Sequence, residues 1–235
     1  HRRKSERLRH ILYDKAESHF DNYLKTMNLS ADGQTVLAIS LTPLYPEEPL
    51  TDYKHLPQMI KSSSARAPYG VMADPDFPLQ PVQDGAAVIS NKRGVYRMTE
   101  FNSYGLVMSK QIITQEEIVN GHAAKTVRIE RLAQTLTLFM LTARKFLTRL
   151  SFGGPLYFRF KMNNTRALRA LLGAKQATVL EDYLRMDRNL SLAELDTKMP
   201  AILEDILHEA AWSLGLQTEE VEMKMLIAQS LKEAH

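Results

Sequence analysis

The segment PLYFRFKM, residues 155–162, decides the fold because its side chains alternate strictly between apolar and polar. The apolar positions are Leu156, Phe158, Phe160 and Met162, and the polar positions between them are Tyr157, Arg159 and Lys161. A period of two is typical of a β-strand that turns one face to the core. The segment therefore predicts a strand whose second face carries two cations and a tyrosine.

A long apolar helix precedes this strand, and a second apolar strand lies near the start of the chain. From about residue 123 to residue 150, apolar residues recur every three or four positions on more than one side. This pattern predicts a central helix that ends at Gly153-Gly154. Residues 35–44, TVLAISLTPL, are a nearly unbroken apolar run typical of a buried central strand, and Pro43 and Pro46 end it.

The remaining segments complete the predicted fold. Helices are expected at residues 2–28, 165–172, about 199–214 and from Thr218 onward, and strands at 85–90, 94–100, 103–112 and 177–187. Residues 45–84 are polar and rich in proline, which predicts a long loop with one helical turn at 53–60. The sequence thus predicts an α+β fold, with an antiparallel or mixed sheet of about five to six strands, a long central helix and helices at both termini.

Composition limits the class of protein. The chain of 235 residues is long enough for one large domain or two small ones. It contains no cysteine, which excludes disulfides, thiolate metal sites and a cysteine nucleophile and favours a reducing cytoplasm. Its longest apolar stretch, residues 132–150, is interrupted by Arg144, Lys145 and Arg149 and is too polar to cross a membrane. We therefore expect a cytoplasmic protein without a membrane partner.

The sequence lacks the spacings that common catalytic and metal sites require. No two of its seven histidines lie three or four residues apart, and no phosphate-binding glycine-rich motif occurs. Acidic residues form adjacent pairs such as Glu116-Glu117 and Glu204-Asp205, and neighbours in sequence do not face one metal ion. We expect no catalytic residue, no metal site and no cofactor in this chain.

The charges fall into blocks of opposite sign. Residues 123–175 carry a net charge of +10 and residues 176–235 carry −7, although the whole chain carries only +3. One interpretation is that the blocks pair within the fold, so that Arg159 and Lys161 meet Glu219, Glu220 or Glu222, or that they meet a further domain. The alternative is a surface that binds nucleic-acid phosphates without reading bases. Its candidate residues are Tyr157, Arg159, Lys161, Arg166 and Arg169.

The first ten residues, HRRKSERLRH, carry five basic side chains. Cations are unfavourable at the N-terminus of a helix, because the helix dipole is positive there. We therefore predict that residues 1–29 are a connector helix that arrives from an upstream domain, and that residues 30–235 form a single α+β accessory domain. Arg2, Arg3 and Lys4 are further candidates for contact with nucleic acid.

The order of several short motifs resembles the C-terminal region of prokaryotic proteins whose N-terminal domain is Schlafen/AlbA-like, DNA-binding and ATP-linked. The resemblance rests on GQTVLAISLTPLYPEEPL (33–50), Asp84-Gly85 before the three short strands, GGPLYFRFKM (153–162), and PAILEDILHEAAWSLGL (200–216) with its Trp212 and Gly215. The short strands depart from it, since Phe101-Asn-Ser-Tyr-Gly stands where the family has an arginine. The resemblance implies that any nucleotide or DNA site lies in the upstream domain.

Three hypotheses for function follow from these observations. The first is a non-catalytic accessory domain, for sensing or self-association, in a larger DNA-linked regulatory or phage-defence protein. The second is a nonspecific nucleic-acid-binding module that uses the basic block 123–175. The third is a hydrolase with a site assembled from distant residues. The expected partners are the upstream domain of the same polypeptide, a second copy of the chain, and DNA or RNA.

Overall fold

The structure is a computed structural model that describes residues 2–74, 76–91, 96–119 and 121–234. It confirms the predicted α+β class, with a helix near each end of the chain. The helices are α1 (Arg2–Thr26), α2 (Leu56–Ser63), α3 (Ile129–Arg149), α4 (Leu192–Thr197), α5 (Met199–Ser213) and α6 (Glu220–Glu233). The strands are β1 (Val36–Pro43), β2 (Arg66–Ala67), β3 (Gly70–Val71), β4 (Leu79–Val82), β5 (Gly85–Ser90), β6 (Arg97–Asn102), β7 (Val107–Ile112), β8 (Gln115–Val119), β9 (His122–Arg128), β10 (Pro155–Asn163), β11 (Arg169–Leu172), β12 (Lys175–Thr178) and β13 (Tyr183–Ser191).

The largest sheet contains seven strands in the order β13-β10-β1-β7-β6-β5-β4, and each neighbouring pair is antiparallel. Strand β1 lies inside this sheet between β10 and β7, and all eight of its residues are buried, as its apolar run predicts. Pro43 lies beyond Leu41, the last residue that β1 pairs with β7. Its missing N–H therefore leaves no gap in that pairing.

Strand β10 divides its side chains between two cores, as the alternation predicts. Its apolar residues Leu156, Phe158, Phe160 and Met162 are buried in the main core. Helix α3 packs on this face of the sheet and buries Leu136, Phe139 and Phe146 there, and it also carries buried residues on its other sides. Helix α1 covers the opposite face, so the sheet is enclosed between two helical layers.

The long helix begins at Ile129, and the prediction that it starts near residue 123 is wrong. Residues 122–128 instead form β9, which pairs with β8 as an antiparallel hairpin. Thr126 and Val127 are buried in this strand, and β-branched side chains of this kind favour strands over helices. The apolar spacing of the helix continued into the strand, so spacing alone did not mark the boundary.

The prediction of a helix at residues 165–172 is also wrong. Asn164 and Ala167 have φ angles of +57° and +65°, which are left-handed and incompatible with a continuing right-handed helix. The segment forms β11, which pairs in parallel with β9 and antiparallel with β12. Together with β8 these strands make a second sheet in the order β12-β11-β9-β8. The strand predicted at 177–187 is divided between β12 and β13.

The polar segment 45–84 is more ordered than a loop. The helical turn predicted at 53–60 is the helix α2, and three short strands follow it. Strand β4 pairs with β5 at the edge of the main sheet, which helps to raise its size to seven strands instead of five to six. Strand β6 begins at Arg97, and the part of its prediction that covers residues 94–95 lies outside the described residues.

Candidate functional site

The polar face of β10 lies beneath α1, and Arg159 is the residue that joins them. Arg159 is 8% exposed, and its Nε donates to Oδ1 of Asp187 on β13 at 3.0 Å. The central carbon of its guanidinium lies 4.5 Å from the centroid of the Tyr13 ring on α1 and 5.3 Å from the centroid of the Tyr157 ring. A buried cation thus has a carboxylate and two aromatic faces as partners.

Lys161 forms the second link between β10 and α1. Its Nζ donates to Oε1 of Glu17 at 3.0 Å, and the same oxygen accepts from the hydroxyl of Tyr13 at 2.9 Å. Burial raises the pKa of Glu17, but the hydrogen bond from Lys161 and the charges of Lys161 and Lys110 outweigh it, so the pKa is lowered overall. Burial and the neighbouring Glu17 raise the pKa of Tyr13, which keeps its hydroxyl a donor.

Further polar pairs continue along α1. Lys110 of β7 donates to Oδ1 of Asp21 at 2.8 Å. His19 Nδ1 lies 2.8 Å from Oε2 of Glu100, a buried carboxylate on β6. Burial raises the pKa of Glu100, and the contact with His19 opposes this rise only in part. The helix therefore meets the sheet through polar contacts with β10, β7 and β6, and Arg159 links this row to Asp187 of β13.

Apolar side chains of α1 lie between these polar contacts. They form two small clusters that are separate from the main core: Leu12, Tyr13 and Ala16 pack on Ala38, Leu106 and Met108, and Phe20 and Leu24 pack on Val36, Ala87 and Met98. Polar and apolar contacts together fix both the position and the rotation of α1 on the sheet.

The structure brings three of the predicted nucleic-acid residues together and separates the others. Arg159 and Lys161 contact Tyr13 and Glu17 of α1 as described above, and the centroid of the Tyr157 ring lies 4.2 Å from the guanidinium carbon of Arg9 of α1. Arg166 is exposed, and Arg169 donates to Thr178 Oγ1 at 2.6 Å, on the second sheet. The other candidates, Arg2, Arg3 and Lys4, are exposed at the start of α1, where Arg2 pairs with Glu6 at 3.2 Å.

The acidic partners differ from those that the sequence suggested. Arg159 and Lys161 pair with Asp187 and Glu17, whereas Glu222, one of the expected partners, holds Lys175 at 2.7 Å. Sequence reasoning missed Tyr13, Glu17 and Asp187. The spacing of four between Tyr13, Glu17 and Asp21 places them on one face of α1, and this was the available signal.

Two hollows lie nearby on the surface: one of about 350 Å³ is lined by Arg2, Ser5, Tyr45 and Glu47, and one of about 200 Å³ lies between Tyr45 and Phe152. Within residues 2–74, 76–91, 96–119 and 121–234, no three His, Asp or Glu side chains are grouped to hold a metal ion. None of the helices described there is long and apolar enough to cross a membrane. The contacts described above hold α1 on the main sheet.

Comparisons with protein-family models, with curated proteins and with solved structures each found no match for this chain. The family resemblance noted in the sequence therefore stays a prediction.

Proposed function

We propose that this chain is a non-catalytic accessory domain that self-associates within a larger, DNA-linked regulatory or phage-defence protein. The observation that carries the proposal is the engagement of Tyr157, Arg159 and Lys161 by α1. The most concentrated set of cations and aromatic rings on the main sheet serves to fix the leading helix. These contacts give α1 a fixed position on the sheet.

The internal pairing of the basic block favours this function over phosphate binding by residues 123–175. Most cations of the block already have a hydrogen-bond or ion-pair partner in the chain. These are Lys125, Arg128, Arg144, Arg149, Arg159, Lys161, Arg169 and Lys175. Where the partner is a carboxylate, as for Arg128, Arg159, Lys161 and Lys175, it neutralises part of the positive charge and so weakens the attraction for a phosphate.

Self-association is better supported than the sensing of a small molecule. Sites for small ligands are concave and enclose most of the ligand surface, whereas the two hollows lined by Tyr45 and Glu47 lie open at the surface. Large apolar side chains are exposed on the C-terminal helices, among them Trp212, which is 63% exposed, and Met225. Exposed apolar side chains and uncovered strand edges are features of surfaces that meet other proteins.

One observation favours nucleic acid as a second candidate partner, at a different place from the basic block. Arg3, Lys4 and Arg7 are exposed on the first two turns of α1, and the described residues offer them no acidic partner. Such a cluster attracts phosphates weakly and without sequence preference, and the attraction falls steeply with salt.

Sedimentation of the purified chain together with a DNA-binding assay tests the proposed function. We expect reversible association of the chain over about 1–100 µM, the range of weak protein interfaces. We expect binding of a labelled DNA duplex only at low ionic strength, with at least a tenfold loss between about 50 and 200 mM salt. A chain that stays monomeric throughout and binds DNA tightly at the higher salt would refute the proposal and support the nucleic-acid module.

A further inference from the structure

Strand β13 forms one edge of the main sheet, and its outer side is uncovered among the described residues. It pairs with β10 over nine residues on its inner side. The opposite edge is β4, which has only four residues, one of them Pro81. Short strands and prolines protect an edge from further pairing, and β13 has neither protection. Of the two edges of this sheet, β13 is therefore the longer one and the one without proline, although it carries the charged residues Arg185, Asp187 and Arg188.

The hydrogen bonds show which groups of β13 point outward. The amide N of Leu44 donates to the carbonyl of Pro155 at 2.8 Å, so the odd-numbered residues of β10 bond to β1 and the even-numbered ones bond to β13. Residues 184, 186, 188 and 190 consequently bond to β10, and residues 183, 185, 187 and 189 direct their N–H and C=O groups outward. The amide N of Ser191 fits this pattern, because its partner is the side chain of Glu194 at 2.8 Å.

Arg185 and Asp187 already pair within one strand, where Nε of Arg185 donates to Oδ2 of Asp187 at 2.8 Å. A second copy of the strand would extend this pair into a network of alternating charges across the edge. An antiparallel pair related by a two-fold axis at Met186 places Arg185 opposite Asp187 twice, once on each side of the axis. Both residues have outward-facing backbone groups, so the pairing that matches the charges is also one that forms main-chain hydrogen bonds. A register centred on Asp187 would instead place two carboxylates opposite each other.

Several side chains of β13 at this edge are exposed. Tyr183 is 48% exposed, the side chain of Arg185 is 43% exposed, and Asn189 is exposed as well. One outward carbonyl, that of Asp187, accepts a hydrogen bond from Nη1 of Arg188 at 3.2 Å. In the paired state the amide of Arg185 of the partner subunit takes this place, and Arg188 keeps its carboxylate partners Asp205 and Glu209.

We infer that two copies of this chain associate through antiparallel pairing of β13 about Met186, which joins their seven-stranded sheets into one continuous sheet. The inference rests on the proposed self-association and specifies its interface. Isologous pairing of this kind closes a dimer and leaves no further copy of this edge open.

Substitutions at Arg185 test the interface in analytical ultracentrifugation. Arg185→Glu turns the pairs across the axis into repulsions and also breaks the pair with Asp187 inside each chain. It is expected to raise the dissociation constant of the dimer by about tenfold to a hundredfold. Arg185→Pro removes an N–H that points outward, so it should abolish the dimer and leave the ladder with β10 intact. Lys61→Glu, an equal charge change at an exposed position of α2, is the matched control and should leave a species of twice 26.8 kDa.

Hydrogen exchange supplies a readout that does not depend on any variant. The amides of Arg185, Asp187 and Asn189 should exchange more slowly as the concentration of the unaltered chain rises, while those of β4 should not change. A dimer that survives both Arg185 substitutions, or that Trp212→Ala disrupts instead, would overturn the edge pairing and leave the proposed function standing. A chain that is monomeric at every concentration would overturn both.

Discussion

At the scale of single residues, Arg159 shows how a cation becomes a structural residue. A buried charge is costly unless it is paired and its donors are satisfied. Asp187 supplies the pairing, the hydroxyl of Tyr157 accepts a further hydrogen bond at 3.1 Å, and the ring of Tyr13 covers the guanidinium. Arginine suits this position better than lysine because its planar group is able to stack and to donate in several directions at once.

Replacement of Arg159 should therefore destabilise the fold. Arg159→Ala leaves Asp187 with only Arg185 as its cation and removes the group packed on Tyr13. We expect the free energy of unfolding in urea to fall by about 2–4 kcal/mol. Arg166→Ala, at an exposed position with no described partner, should change it by less than about 0.5 kcal/mol. Equal effects of the two substitutions would contradict a structural role for Arg159.

Glu17 should make stability depend on pH in acid. Its pKa in the folded chain is lower than the value of about 4.3 expected in the unfolded chain, because Lys161 and Lys110 outweigh the effect of burial. The ionised form therefore stabilises the fold at and above pH 5, and this contribution is lost as the pH falls through the folded pKa. Glu17→Gln should shrink the acid-dependent part of the urea unfolding free energy between about pH 5 and pH 3. An unchanged pH dependence in this variant would contradict the pairing.

The sequence predicts the two faces of β10 correctly, residue by residue, but not their partners. Alternation along one strand is local information, whereas Glu17 and Lys161 are 144 positions apart. No single-strand pattern identifies such a partner, and the charge blocks pointed to the acidic C-terminal residues instead. The family resemblance and the nucleic-acid hypothesis rest on local patterns of the same kind.

At the scale of elements, the errors occur where a short strand adjoins a helix. The dipeptide Asn120-Gly121 between β8 and β9 is a strong signal for a tight hairpin, and it places a strand before α3. The helical period of the following residues hid this signal. The left-handed conformations of Asn164 and Ala167 give a similar lesson, although only asparagine among them is a residue type that commonly adopts it.

A close approach between β5 and β6 explains why a glycine begins β5. A Cβ atom on Gly85 would lie 2.3 Å from the backbone carbonyl oxygen of Phe101, so Gly85→Ala forces the strands apart. We expect it to lower the free energy of unfolding by about 1–3 kcal/mol. The matched substitution Gly153→Ala meets no atom within 4 Å and should be neutral or slightly stabilising. Chemical denaturation of both variants checks this, and an equal loss in each would argue against a steric cause.

At the scale of the whole molecule, the packing of α1 bears on whether residues 1–29 are a unit apart from residues 30–235. The sequence predicts a connector at residues 1–29 and a separate domain at 30–235, and nothing in the geometry requires that boundary. Helix α1 fully buries Phe20 and Leu24 and encloses one face of the main sheet. A connector that is also part of a core couples the stability of the domain to the position of its leading helix.

Removal of α1 distinguishes an appended connector from an integral helix. Deletion of residues 1–27 uncovers the two small clusters on the sheet, and burial of each large apolar side chain contributes about 1.5–3 kcal/mol. Several such losses approach the whole stability of a typical domain, about 5–15 kcal/mol. We therefore expect the shortened chain to aggregate or to lose cooperative thermal unfolding. Deletion of residues 1–4, of which the described residues 2–4 are exposed, should leave the cooperative unfolding intact. Circular dichroism and size-exclusion chromatography measure both. A cooperative, monomeric fold of residues 28–235 would instead show that the sheet needs no cover from α1 and that the predicted division is correct.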